Sequence, residues 1–218
     1  MTVKLNQYWT VIPAKTEEYN KFILKKFIPG LNKLGLHTVA VWSVLVGAYS
    51  EIMFESVTSD LDLLEQAMKK KKYKELKGDL LNFVKKYKTK VLVKTGKKDS
   101  YSTDIREDTF KFNQMWDLVG DKREYGRFVI NEFYPLLDEL GITVAREWEV
   151  FIGDGPSIIC EGRAKDINNL IGNLQSDKFQ KAKQKLKLFV ENYESRILTF
   201  QIQKVKGYKS ASYRVVHH

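Results

Sequence analysis

A chain of 218 residues, 43% hydrophobic and 12% aromatic, can bury one large core or two small ones, which excludes a disordered or fibrous protein. No apolar run approaches the roughly 18 residues of a membrane span. Cys160 is the only cysteine, which rules out an internal disulfide and any cysteine-rich metal site. The formal net charge of +10, from 37 Lys and Arg against 27 Asp and Glu, permits an anionic partner without requiring one.

The N-terminus, MTVKLNQYW, lacks the regions of a secretory signal and, with the cysteine usage, leads us to expect a cytoplasmic protein. Residues 5–12 are aromatic and β-branched, as a strand requires. From 16 to 34, Tyr19, Phe22, Ile23, Phe27 and Leu31 follow helical spacing, and Pro29 should kink or break that helix near its last turn. Gly35 suits a left-handed closing residue, and 36–46 and 49–57 read as a strand hairpin turning at Gly47-Ala48. A second helix covers about 60–87, with an interruption near Lys72, and a last strand covers 88–94.

The same order then recurs. FIPGLNKLGLHTVAVW, from Phe27 to Trp42, is answered by FYPLLDELGITVAREW, from Phe133 to Trp148. Gly35 and Gly141, Gly47 and Gly153, Glu55 and Glu161, and Phe83 and Phe189 are each 106 residues apart. That spacing excludes short solenoid repeats and indicates a duplicated domain. The domains are expected at 1–94 and 109–203, joined by a polar linker at 95–108 and followed by a tail at 204–218 without clear period. His217 and His218 are either native or a vector remnant, and no weight rests on them.

Strand–helix–strand–strand–helix–strand is a ferredoxin-like unit, an antiparallel sheet with both helices on one face. Two copies can cover each other's free sheet faces, so the expected fold class is α+β, with tandem ferredoxin-like repeats forming a pseudo-dimeric α+β barrel. The stretch through Gly35, Trp42 and Gly47 into the hairpin resembles the NIPSNAP-like branch of the dimeric α+β barrel proteins. The resemblance implies a ligand cavity and admits cofactor-independent monooxygenases, haem enzymes and members without an assigned role. Haem enzymes of this fold use a histidine in the second half, where this chain has none before His217, so no cofactor and no metal are expected.

Strand alternation selects the candidate site. Phe112, Gln114, Trp116 and Leu118 should pack under the helices, as should Ile52, Phe54, Ile158 and Cys160. Asn6, Tyr8, Asn113 and Asp117 should then face between the sheets, together with Glu55 and Glu161. Either glutamate could act as an acid or base; the competing reading is a salt bridge, with Arg146 a candidate partner. Trp42 and Trp148 would stack on a flat ligand or pack as core, and Arg146, whose counterpart is Ala40, makes any site asymmetric. Glu147 and Glu149 fall on the opposite, wetter face. The leading expectation is a small apolar or aromatic ligand between the sheets, with cofactor-free oxygenation as the chemistry. The alternatives are a non-enzymatic protein whose basic helices meet an anionic partner, with nucleic acid bound only non-specifically, and a scaffold that forms homo-oligomers.

Overall fold

The computed structural model describes residues 2–216 apart from 48–50, 104, 107 and 207–210, so the terminal histidines and most of the first hairpin turn lie outside the described residues. Its residues group into two compact units. The first takes in the chain to Val93, apart from a few residues after Val44, and the chain from Phe200 onward; the second takes in Lys94–Thr199 and those few residues.

In the first unit, β1 (Val3–Val11), β2 (His37–Val46), β3 (Ile52–Thr58) and β4 (Val84–Asp99) form an antiparallel sheet in the order β2-β3-β1-β4. Asn6 lies opposite Glu55 and Tyr8 opposite Met53. Bulges between Thr38 and Ala40, and between Tyr8 and Thr10, reset the register of the sheet. The second unit repeats the plan with β5 (Phe110–Leu118), β6 (Thr143–Ile152), β7 (Ile158–Ala164) and β8 (Val190–Lys206), in the order β6-β7-β5-β8. Its bulges fall between Val144 and Arg146 and between Met115 and Asp117.

The first helix of each unit passes through its proline. α1 (Thr16–Phe22) runs into a π-helical turn at Ile23–Phe27 and then α2 (Ile28–Lys33). α5 (Lys122–Phe128), Val129–Phe133 and α6 (Tyr134–Glu139) match it in the second unit. The expected break does not occur, because the wider turn lets the Ile28 N–H donate to the Ile23 carbonyl immediately before Pro29. The extra residue moves the chain off the carbonyl that the proline ring would otherwise strike.

The second helix of each unit is two helices. α3 (Leu61–Lys69) and α4 (Lys71–Leu81) meet at an extended Lys70, and α7 (Ile167–Gln175) and α8 (Asp177–Leu186) meet at an extended Ser176. Asp60 and Asp166 cap the first of each pair by accepting from the Leu63 and Asn169 N–H groups, both at 2.8 Å. The backbone N–H of Leu63 is also the largest cause holding the Asp60 carboxyl below its ordinary range.

Two stretches that read as irregular are strands. β4 runs to Asp99, into the polar stretch taken for a linker, and neighbours β6 there, with the Ser100 N–H donating to the Ala145 carbonyl at 3.0 Å. The tail holds β9 (Ala211–Val215), antiparallel to the end of β8 with Ile202 opposite Val215. The end of β4 is specified by backbone pairing rather than by apolar burial, which leaves no hydrophobic period to read, whereas β9 lays Tyr213 and Val215 against the first core.

Each unit has its own core under its helices, centred on a buried indole. Trp9 stacks on Tyr87 and meets Phe27 edge-on, and Trp116 does the same with Tyr193 and Phe133. Among the described residues no helix is long and apolar enough to cross a membrane.

Two glycines test how tightly this scaffold is packed. A Cβ on Gly162 would lie 2.8 Å from the Ile142 side chain and 3.2 Å from the Phe112 carbonyl, whereas one on Gly172 in α7 meets nothing within 4 Å. Gly162→Ala should destabilise by about 1–3 kcal/mol through overpacking, and Gly172→Ala should stabilise by about 1 kcal/mol through helix propensity. Urea unfolding of both variants should show shifts of opposite sign.

Candidate functional site

In each unit the sheet face away from the helices carries a buried carboxylate. In the first, Glu55 on β3 is fully buried; its Oε1 lies 2.6 Å from Lys4 Nζ, and its Oε2 accepts from Trp42 Nε1 at 2.9 Å. In the second, Glu161 on β7 takes Lys111 Nζ at 3.0 Å on Oε1 and Trp148 Nε1 at 3.2 Å on Oε2. The lysines occupy matching places on β1 and β5, so both units carry the same lysine–glutamate–tryptophan trio. A buried carboxylate is tolerable only when its oxygens are matched by donors, and a lysine and an indole supply them here.

Around that common element the units differ. In the first, Phe200 stacks on Trp42 with ring centroids 4.2 Å apart, and Asn6 Nδ2 reaches the Tyr8 hydroxyl at 3.2 Å and Met53 Sδ at 3.7 Å. In the second, cations gather. The Arg146 guanidinium lies 4.9 Å over the Trp148 ring and 5.1 Å over Tyr101, and that of Arg163 lies 5.5 Å over Tyr101. Tyr101 meets Trp148 edge-on at 5.3 Å. Arg163 Nη2 donates to the Ser102 carbonyl at 2.8 Å and approaches Glu161 Oε1 at 3.5 Å. Arg146 stands opposite Glu161 in the ladder but pairs through Nη2 with Asp99. Its Nε and Nη1 are buried with no hydrogen-bond partner. Burial pushes the Arg146 pKa down from its ordinary value and the Glu161 charge opposes that shift, so the guanidinium stays charged.

Of the residues expected at the site, Asn6, Tyr8, Trp42 and Glu55 thus fall in one neighbourhood of the first unit. Arg146, Trp148 and Glu161 fall in one neighbourhood of the second, with Asn113 directly opposite Glu161 in the ladder. Asp117 lies at the end of β5, where its carboxylate accepts from the Ser157 N–H at 2.7 Å and from Asn192 Nδ2 at 3.0 Å. Lys4, Lys111, Arg163 and Tyr101 were not singled out. Parity alone would have found both lysines, since Lys4 and Asn6 alternate with Leu5.

A second buried carboxylate lies on the helix-facing side of the second unit. Glu147, expected on a wet face, is fully buried. The Tyr125 hydroxyl donates to its Oε2 at 2.6 Å, the Tyr134 hydroxyl donates to the same oxygen, and Lys97 Nζ lies 2.8 Å from Oε1. Helix-side burial wins because these donors replace the water that the carboxylate loses. Trp116 Nε1 in turn donates to the Tyr125 oxygen at 3.1 Å. Burial first, and the Glu147 charge after it, push the Tyr125 phenol up from its ordinary range. Tyr134 is raised by burial and then by the neighbouring Cys160 and Glu147 groups, and Cys160 by burial and then by Glu147.

A groove of about 590 Å³ opens beside the cationic cluster, lined by Thr109, Thr143, Arg163, Lys165, Asn169 and Asn173 among others. Arg163 therefore borders both the groove and Glu161. His37 is exposed at the start of β2, and no group of three or more His, Cys, Asp or Glu among the described residues could hold a metal ion. The lysines of α3 and α4 are exposed and partly paired, Lys69 with Glu65 at 2.6 Å and Lys72 with Glu75 at 3.6 Å.

No protein-family profile matches the chain, and no curated protein matches its sequence. Solved structures do match. A candidate monooxygenase of Fusobacterium nucleatum subsp. nucleatum is 12% identical with a TM-score of 0.64, over 91% of this chain and 92% of that one. A second candidate monooxygenase, from Lactobacillus acidophilus, is 10% identical with a TM-score of 0.58 over 99% of both chains. An anthrone oxidase-like protein is 10% identical with a TM-score of 0.59, over 91% and 90%. A NIPSNAP family protein of Agrobacterium tumefaciens aligns at 12% identity over 44% of this chain and 95% of that one, with a TM-score of only 0.38 that carries no argument. At such identities the likeness is one of fold, and the fold is the one the repeat pattern resembles.

The trio predicts a specific non-additivity. Lys4→Met leaves a buried carboxylate without its cation and should cost about 3–5 kcal/mol, whereas Lys4→Met combined with Glu55→Gln should recover most of that loss. A double-mutant cycle by chemical denaturation measures the coupling; additive losses would remove the ion pair from the account. The raised phenols give a pH test of opposite reach. Their contribution is fully present below the ordinary phenol range of about 10 and is lost as pH climbs through the folded values. Phenolate absorbance at 295 nm should therefore omit Tyr19, Tyr125 and Tyr134 until the chain unfolds in alkali.

Proposed function

Starting from a pseudo-dimeric α+β barrel fold whose two repeats share one chain, we propose that the protein binds a small planar aromatic molecule with an acidic hydroxyl or enol at the second repeat. We propose further that it oxygenates that molecule with dioxygen without a metal. The observation that carries the reading is the cluster of Tyr101, Trp148, Arg146 and Arg163 beside the Lys111–Glu161 pair. Guanidinium groups over aromatic rings offer both a flat apolar surface and positive charge, the combination that a delocalised phenolate or enolate requires. The buried, unpartnered Nε and Nη1 of Arg146 supply donors for the ligand oxygen. A groove that Arg163 also lines lies beside this cluster.

The chemistry that fits is oxidation of an activated ring carbon. Loss of a proton gives an electron-rich anion whose charge the guanidinium holds; dioxygen then takes up the electrons, and a CH2 group becomes C=O with release of one water. That class of substrate is the one named for the anthrone oxidase-like neighbour. The first repeat is not proposed to take part in this way, because Ala40 and Val57 stand where Arg146 and Arg163 stand in the second, and Phe200 covers Trp42.

Calorimetric titration with 1-naphthol and with a hydroxylated anthrone, followed by oxygen-electrode measurements with the anthrone, tests the reading. Binding should weaken at least tenfold in Arg146→Ala, which gives the second repeat the alanine of the first, with the melting temperature nearly unchanged. Oxygen uptake above the buffer rate should fall with it. If neither compound binds the native protein, the ligand reading fails and the basic-helix partner reading gains. If both bind without oxygen uptake, a binding protein remains and the oxygenase is excluded for this substrate class.

A further inference from the structure

The helix-side cluster of the second unit has no part in that reading, and of its members only Tyr125 and its indole donor Trp116 recur in the first, as Tyr19 and Trp9. Glu147, Tyr134 and Cys160 are matched there by Val41, Ile28 and Phe54, and the first unit folds with those apolar residues. Folding alone therefore does not call for a buried carboxylate at this place. A polar constellation that one repeat carries and the other replaces with hydrocarbon is where function is to be sought.

The geometry is that of a proton acceptor prepared for two phenols. Both hydroxyls converge on Glu147 Oε2, while Oε1 is held by Lys97, whose side chain is the partly exposed member of the group at 22%. Tyr125 and Tyr134 are buried, and their raised pKa values keep them from simply ionising. A phenol in this setting loses an electron readily only if its proton leaves in the same event, and a carboxylate already hydrogen-bonded to it is the group that takes the proton. Trp116 donates to the Tyr125 oxygen and draws electron density from it, which makes Tyr134 the better electron donor of the two.

We propose that Tyr134, with Tyr125 and Glu147, forms a proton-coupled electron-donor site that quenches organic radicals of the aryloxyl or peroxyl class. In the step, Tyr134 gives one electron to the radical, which leaves as its anion. The phenolic O–H bond breaks and an O–H bond forms on Glu147 Oε2, leaving a neutral tyrosyl radical and a neutral carboxyl. The electron leaves by tunnelling, so the oxidant need not enter the core. This inference does not depend on the oxygenase reading, because it concerns other residues on the other side of the sheet.

The test uses the full chain and a photo-oxidant of known chemistry, ruthenium tris-bipyridine with a cobalt(III) quencher, followed by rapid freezing and electron paramagnetic resonance. Native protein should give a radical whose hyperfine structure narrows when the tyrosines are ring-deuterated, which separates it from tryptophan and cysteine radicals. The yield should fall at least fivefold in Tyr134→Phe and in Glu147→Gln. It should hold in Tyr19→Phe, a control at the buried first-repeat counterpart of Tyr125. A tyrosyl yield unchanged in Tyr134→Phe overturns the proposal. Should that variant fail to fold, electron–nuclear double resonance on the native protein decides. A strongly coupled exchangeable proton at the radical oxygen, lost in D2O, supports the site, and its absence overturns it.

Discussion

The structure depends on how a glutamate is kept buried on the face of a four-stranded sheet that points away from its helices. In both repeats the solution is the same: a lysine from the first strand and an indole from the second hold the two carboxylate oxygens, Lys4 and Trp42 for Glu55, Lys111 and Trp148 for Glu161. Each donor comes from a different strand, so the trio also ties the strands in register, and a slip of one residue would turn the lysine and the tryptophan to the helix side. Buried ion pairs contribute little net stability against an apolar alternative, and their better-attested use is to fix one arrangement among several.

On that shared element the second repeat has built more than the first. Replacing Ala40 by Arg146 and Val57 by Arg163 turns an apolar strand surface into a cationic one, and Tyr101 arrives to lie among the guanidiniums. Replacing Val41 by Glu147 and Ile28 by Tyr134 does the same for the helix side. The common trio and the matching cores around Trp9 and Trp116 are the same in both units while these other positions differ.

Much of the fold was legible because the signals were local and repeated. Glycine and tryptophan at a constant spacing marked helix ends and strands twice over, and alternation placed Glu55, Glu161 and both tryptophans on one face. What escaped was polar. Lys4 and Lys111 carry no local mark of burial, because lysine ordinarily faces solvent, and only the buried glutamates they pair with explain them. Glu147 read as wet for the same reason, and its partners Tyr125 and Tyr134 are distant in sequence. Tyr101 and the end of β4 were hidden in a stretch whose polar composition resembles a linker. The proline break was expected from the α-helical rule, and the π-turn that removes the clash leaves no mark in the sequence that spacing alone can show.

The central claim is that the trio is architecture in both repeats and that a ligand site exists in the second alone. An X-ray structure of the protein soaked with a bromine-labelled naphthol tests this most directly, since anomalous scattering locates the ring without reference to activity. The account predicts a bromine peak in contact with Trp148, Tyr101 and the Arg146 guanidinium, with none beside Trp42. A peak at Trp42, or full occupancy away from the Arg146 and Arg163 cluster, would contradict it.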